Sequence, residues 1–275
     1  MSQLVATLVR LAAEGELWQA DGEPMVSVGG RHLPVRGAAF QSWLLNAASR
    51  RRTKIQPTLT AVRDAQEILA AQASIGRGYP LWRRTGVAGD GELWVDCGER
   101  WYVALSRAGW RLERETPLRF LEVPGQQALP VVPGGGDIEA LRCVLPAMSS
   151  PQWVVWLAWL AFCLQPRGAF PVLSLVGPPH SGKSTIARAA KQLVDPNSTP
   201  LLFQPGDRRD LAAYANAGWV MALDNITHVP GWLSDALCGL STGIGFAARK
   251  LYSDGELFKV GGYRPTIVTS LGGWA

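Results

Sequence analysis

The 275-residue sequence predicts an α/β protein: a parallel sheet flanked by helices, preceded by a smaller α+β module. Three observations predict it. From Phe170 onward, short β-rich runs alternate with helical stretches, the pattern of strands joined by crossover helices. An apolar run at 171–176 leads into a glycine-bearing loop and then a helical stretch at 185–193. Before residue 125 the period is different, with helical stripes first and short aromatic and β-branched runs after them.

The N-terminal stripes fall at 4–13, at 39–50 with Phe40, Trp43 and Leu44 at i, i+3 and i+4, and at 60–73 with Val62, Ile68 and Leu69. Extended runs follow at 93–96, 101–105 and 109–112, which predicts a small antiparallel sheet. Residues 1–122 thus read as an α+β module, and the Pro/Gly-dense stretch 123–136 reads as a linker. Asp137 is placed to cap a helix running to Arg142, and Ser150-Pro151 to start another. The latter continues through the apolar run 153–164, expected to be a buried helix within a helical subdomain, 137–168, ahead of a core at 169–275.

Composition narrows the function. With 47% hydrophobic and 18% charged residues, the chain can bury one large core or two modest ones, which excludes disorder as its default state. The run 153–164 falls short of the roughly 20 residues that cross a bilayer, so no membrane partner is expected. The first residues lack a basic start or cleavage signal, and a cytoplasmic location follows. Cys97, Cys143, Cys163 and Cys238 lie too far apart for a zinc site or disulfide framework, and His32, His180 and His228 add no ligand spacing. The net charge of +5 rests on arginine, since Lys54, Lys183, Lys191, Lys250 and Lys259 are the only lysines. That raises the prospect of a nucleic-acid partner only modestly. Arg50, Arg51, Arg52 and Lys54 read as a solvated basic helix end in preference to a nucleic-acid contact.

One motif carries chemistry. Gly177, Pro178, Pro179, His180, Ser181, Gly182, Lys183 and Ser184 fit G-x-x-x-x-G-K-[ST] at every fixed position, and Thr185 opens the helix behind them. Strand, glycine loop and helix are the context that defines a P-loop. Gly177 and Gly182 let backbone amides curl around a phosphate, and the helix N-terminus adds its partial positive charge. Lys183 is placed to reach the β- and γ-phosphates of ATP, and Ser184 to join the Mg²⁺ shell. His180, in the variable part of the loop, receives no catalytic role.

Such a loop needs a second acidic group at the end of a neighbouring buried strand. Residues 219–223 form an apolar run that ends in Asp224, one βα unit downstream, the intervening unit being a strand at 200–203 and a helix at 207–217. A helix at 232–240, the segment 243–263 and a strand at 266–268 complete the reading. That last strand ends at Thr269, a candidate sensor of the γ-phosphate or the attacking water.

These residues resemble the P-loop ATPases of phage and mobile-element replication proteins, the primase-helicase-associated group near the superfamily 3 helicases in the AAA+ class. The resemblance is carried by the loop, by Leu223-Asp224-Asn225, by 232–238, by Ser241-Thr242-Gly243, by 246–254 and by Arg264-Pro265. It implies an AAA+-like ATPase of a bacterial or phage-infected cell, assembling as a homo-oligomeric ring such as a hexamer, acting on single-stranded DNA and working beside a replication partner such as a primase. In those helicases a DNA-contacting loop lies between the acidic strand and the sensor strand. Here Arg249, Lys250, Tyr252 and Lys259 occupy that slot, and basic and aromatic side chains together suit a single strand. A solvated hairpin is the alternative, and Arg249 is equally placed to be an arginine finger.

Three departures mark the chain. Asn225 stands where many AAA+ proteins carry a water-polarising Glu, leaving Asp235 as another possible base; Thr269 replaces the usual Asn; and the sequence given ends at Ala275, without the expected lid and sensor-2 arginine, so the core is read as C-terminally truncated. The leading reading is an ATP-hydrolysing helicase-type motor. The alternatives are a nucleotide-gated binding module with little hydrolysis, and a small-molecule phosphotransferase, which would need a substrate lid that the sequence does not offer.

Overall fold

The computed structural model describes residues 2–50, 57–131, 136–249 and 257–272. In chain order the first elements are α1 (Gln3–Ala12), β1 (Glu16–Ala20), β2 (Glu23–Val28), β3 (Arg31–Pro34), α2 (Ala38–Arg50) and α3 (Leu59–Ser74). Six short strands follow: β4 (Leu81–Trp82), β5 (Thr85–Val87), β6 (Leu93–Gly98), β7 (Trp101–Ser106), β8 (Gly109–Glu113) and β9 (Arg119–Phe120). The remainder is α4 (Ile138–Val144), α5 (Ser150–Cys163), β10 (Leu173–Val176), α6 (Lys183–Val194), α7 (Arg208–Asn216), β11 (Met221–Ile226), α8 (Gly231–Thr242), β12 (Phe246–Arg249), β13 (Leu257–Val260) and β14 (Thr266–Ser270). No helix among the described residues is long and apolar enough to cross a membrane.

Two compact units emerge, and they do not follow the expected segmentation. One is Met1–Trp82 with Pro117–Glu122; the other is Arg83–Thr116 with Val123–Ala275. The antiparallel sheet β5-β6-β7-β8 therefore belongs with the C-terminal half, not with a module ending at 122. The physical reason is Arg84. Its side chain is 1% exposed and its guanidinium meets Asp195 Oδ1 at 3.0 Å, a partner that no local pattern reveals. The expected linker is also packed where it is described: Gln127 N donates to Pro196 O at 2.9 Å, Ser198 N to Gly125 O at 2.9 Å, and Leu129 N to Cys97 O at 2.8 Å.

In the first unit, α1, α2 and α3 form where the apolar stripes place them and bury Leu8, Leu11, Phe40, Leu44, Val62 and Leu69 against the meander β1-β2-β3. Two-residue turns set this meander's register. Asp21 and Gly22 (φ 49° and 84°) close the first hairpin, Gly29 and Gly30 (φ 58° and 77°) the second, as primed turns demand. His32 sits at this sheet, with its Nδ1 2.8 Å from Ser27 Oγ, which in turn accepts from Trp18 Nε1 at 2.8 Å and Arg119 Nη1 at 3.0 Å. Burial, then the Arg119 charge, lowers the imidazole pKa from 6.5 to about 4. The folded state thus holds His32 neutral where the unfolded chain takes up a proton. Stability of this unit is expected to be full above pH 6.5 and to fall as pH drops toward about 4. Melting curves across that window should show the loss, and His32→Gln should flatten it.

In the second unit the three strands β10, β14 and β11 pair in that order, all parallel. β14 is the central one and every residue of it is buried. Asp224's strand is therefore not the direct neighbour of the strand that feeds the loop, as expected; β14 lies between them. Residues 200–203 contribute one parallel bridge, Leu202 to Leu223, rather than a full strand. The helix α5 differs from expectation as well. A capping box of Ser149 and Gln152 starts it, and Trp153, Trp156, Trp159 and Cys163 are buried on one face. Its other face is open, with Val154 and Val155 each 62% exposed. On α6 the buried positions are Ile186, Ala187, Ala190, Lys191 and Val194, while Leu193 lies outside the buried stripe.

Candidate functional site

Open parallel sheets gather ligands beyond the carboxyl ends of their strands, and that edge is where the chemistry-bearing residues collect. β10 ends at Val176, the chain bends through 177–182, and α6 begins at Lys183. His180 and Gly182 both take left-handed backbone, at φ 61° and 84°. Glycine is required at 182 for a second reason, because a Cβ there would lie 2.6 Å from the Cβ and Cγ of Pro146. At Gly177 a Cβ would come within 3.0 Å of Ser181 Oγ. Gly182 is also the N-cap of α6 and brings no capping side chain, which leaves the helix's first-turn amides to a ligand or solvent. Over this bend lies the ammonium of Lys183, donating to Pro178 O at 2.7 Å and to Ser181 Oγ at 3.3 Å.

The acidic partner comes from β11. Asp224 is half-buried, and its Oδ1 accepts from Ser184 Oγ at 2.8 Å and from Thr269 Oγ1 at 2.6 Å. Thus the first turn of α6, the end of β11 and the end of β14 meet at one carboxylate oxygen. A serine hydroxyl and a single carboxylate are hard oxygen donors, the set that Mg²⁺ uses when phosphate and water supply its remaining ligands. The residues present fit that ion and a phosphate: oxygen ligands on one side, a lysine and a helix N-terminus on the other.

Thr269 is 1% exposed, and its hydroxyl also accepts the Asn225 N–H at 2.8 Å. Expected as a sensor of the γ-phosphate or water, Thr269 is bonded here to Asp224 and Asn225. Asn225 is exposed and stands in the left-handed region at φ 58°, while Asp235 is exposed on α8, outside this hydrogen-bonded group. Thr185 is exposed in the first turn of α6. Arg249 and Lys259 lie on the antiparallel pair β12–β13, Arg249 opposite Leu257 and Lys259 opposite Ala247, but their side chains lie outside what is described. Lys250 and Tyr252, like Arg51, Arg52 and Lys54, fall outside the described residues. Pro146, seated on Gly182, is a contact that spacing could not reveal.

Residues 140–273 match the family of the Actinomycete integrative conjugative element replication protein. The matched segment, just under half of the chain, contains the loop, Asp224 and Thr269. Among solved structures, the A form apo structure of the NrS-1 C-terminal region has a TM-score of 0.46 and 11% identity, covering 98% of this chain and 56% of that one. A second apo structure of that region gives 0.46 and 10%, covering 98% and 58%. The chain spans a little over half the length of these structures. No curated protein sequence matches it.

Proposed function

We propose that this chain is a replication protein of a mobile element that binds ATP with Mg²⁺ at the 177–185 loop and hydrolyses it as a helicase-type motor on single-stranded DNA. One observation carries the nucleotide part: Ser184, the residue after Lys183, donates its hydroxyl to Asp224 Oδ1 at 2.8 Å. The family match over 140–273 supports the replication setting. In this reading Gly177, Ser181, Gly182 and Lys183 hold the phosphates, and Ser184 and Asp224 hold the cation, which supplies charge neutralisation when bound. The DNA contacts are assigned to Arg249, Lys250, Tyr252 and Lys259 and the assembly to a homo-oligomeric ring, with a primase-like replication partner.

A second reading has its own support. Asn225 follows Asp224, and an amide does not take a proton from water, so a module that binds ATP and turns it over poorly fits that residue. ATPase assays with and without single-stranded DNA separate the two. The motor reading expects stimulation by DNA, and Arg249→Ala should then weaken DNA binding and reduce its salt slope by about one. If Arg249 is instead a finger, mixing that variant with wild-type subunits should poison turnover while DNA affinity holds. Tight ATP binding with turnover unmoved by DNA supports the binding module.

A further inference from the structure

The end of β11 does not continue its ladder. Leu223 pairs with Val268 and Ile226 with Ser270, so Asp224 and Asn225 together stand across from the single residue Thr269. Two residues opposite one make a β-bulge, which breaks the alternation of faces and re-aims the side chains it contains. Here the extra residue is accommodated by the left-handed backbone of Asn225, a conformation asparagine tolerates better than most. What the broken ladder loses, one side chain replaces. A threonine hydroxyl has one proton and two lone pairs. In Thr269 the proton goes to Asp224 Oδ1 at 2.6 Å and a lone pair takes the Asn225 N–H at 2.8 Å.

We infer that Thr269 is a positioning residue, the pin that fixes the bulge and through it holds Asp224 against Ser184, rather than a group that touches the nucleotide. The oxygen it holds is the one to which Ser184 also donates, so two hydroxyls and one carboxylate form a single hydrogen-bonded chain joining α6, β11 and β14. The bulge is a fact of the fold, while the consequence for cation binding rests on the nucleotide reading above. Without the hydroxyl, Asp224 loses a bond that fixes its rotamer and the Asn225 amide is left without its acceptor.

The test uses the full chain with Thr269→Val, which keeps the shape and removes the hydroxyl, and Thr269→Ser, which keeps the hydroxyl. Amide hydrogen exchange should be about tenfold or more faster at Asn225 in T269V and unchanged in T269S, a hydrogen bond of about 1.4 kcal/mol being a factor of ten. ATP affinity measured with Mg²⁺ should fall about tenfold in T269V and recover in T269S, while affinity in EDTA stays within about twofold. Unchanged protection of Asn225 in a folded T269V overturns the inference, as does an equal fall in affinity with and without Mg²⁺. Should T269V fail to fold, T269S decides alone: lost protection or lost Mg²⁺ dependence there overturns the pin. If the wild-type chain binds no ATP in either condition yet Asn225 still responds to T269V, the pin stands and the nucleotide reading falls.

Discussion

Lys183→Ala is expected to cut ATP turnover about 100- to 1,000-fold, the size of effect seen when a preorganised donor to developing charge is removed. Among the described residues the ammonium meets no carboxylate that would share its charge; its bonds go to Pro178 O and Ser181 Oγ. Those acceptors belong to the loop itself, so a phosphate can displace them with little rearrangement. Because Lys183 is half-exposed and sits at the start of α6, where Ala is a good helix former, unfolding stability should shift by only about half a kcal/mol. Equilibrium ATP binding and steady-state turnover, read beside a urea unfolding curve, check both halves of this expectation. Unchanged ATP affinity in a folded K183A protein would remove the basis for placing a triphosphate at this bend.

That residue was legible from the sequence because the physics of the loop is local. Two glycines at fixed spacing, a lysine and a helix start are all neighbours in the chain, and the buried run ending in Asp224 is local too. What escaped was non-local, or depended on strands too short to show a period. The meander β1-β2-β3 carried a usable signal in Asp21-Gly22 and Gly29-Gly30, but Pro24 and Pro34 interrupt the β-rich composition around them. The open face of α5 could not be read at all. Val154 and Val155 are as apolar as the buried Trp153 and Trp156 beside them, so hydrophobicity does not distinguish the faces of that helix. Thr269 could be placed at a strand tip but not given its partners, since it is the bulge in β11 that brings Asp224 and the Asn225 amide together at one hydroxyl, and no local pattern announces it. Nor could β14 be placed between β10 and β11, because strand order follows from three-dimensional crossovers rather than from sequence order.

Asp195→Asn is expected to destabilise the second unit by about 3–5 kcal/mol, the cost of breaking a buried charge pair from one side. The carboxylate is 4% exposed and takes five donors: Arg84 Nε at 3.1 Å and Nη2 at 3.0 Å on Oδ1, and Lys191 Nζ at 2.5 Å, Trp219 N at 2.7 Å and Val220 N at 3.0 Å on Oδ2. Asparagine keeps the shape but turns an NH₂ toward donors and leaves two buried cations without their counter-charge. Trp219 and Val220 lead directly into β11, so the bonds to Asp195 fix the strand at the end opposite to Asp224. Burial by itself would raise the Asp195 pKa, but Lys191 and Arg84 outweigh it and hold the group below its ordinary 3.8. Its contribution is therefore complete above about pH 3.8 and is lost as pH falls through the depressed folded value. Urea midpoints at neutral pH measure the loss in D195N. Replacing Arg84, Lys191 and Asp195 together by Met, Met and Leu should recover much of it, because an apolar trio of similar volume leaves no charge uncompensated. If the triple variant is no better than D195N, the cost lies in the lost bonds to the Trp219 and Val220 amides rather than in the stranded cations, and β11 should then fray from its N-terminal end in hydrogen exchange.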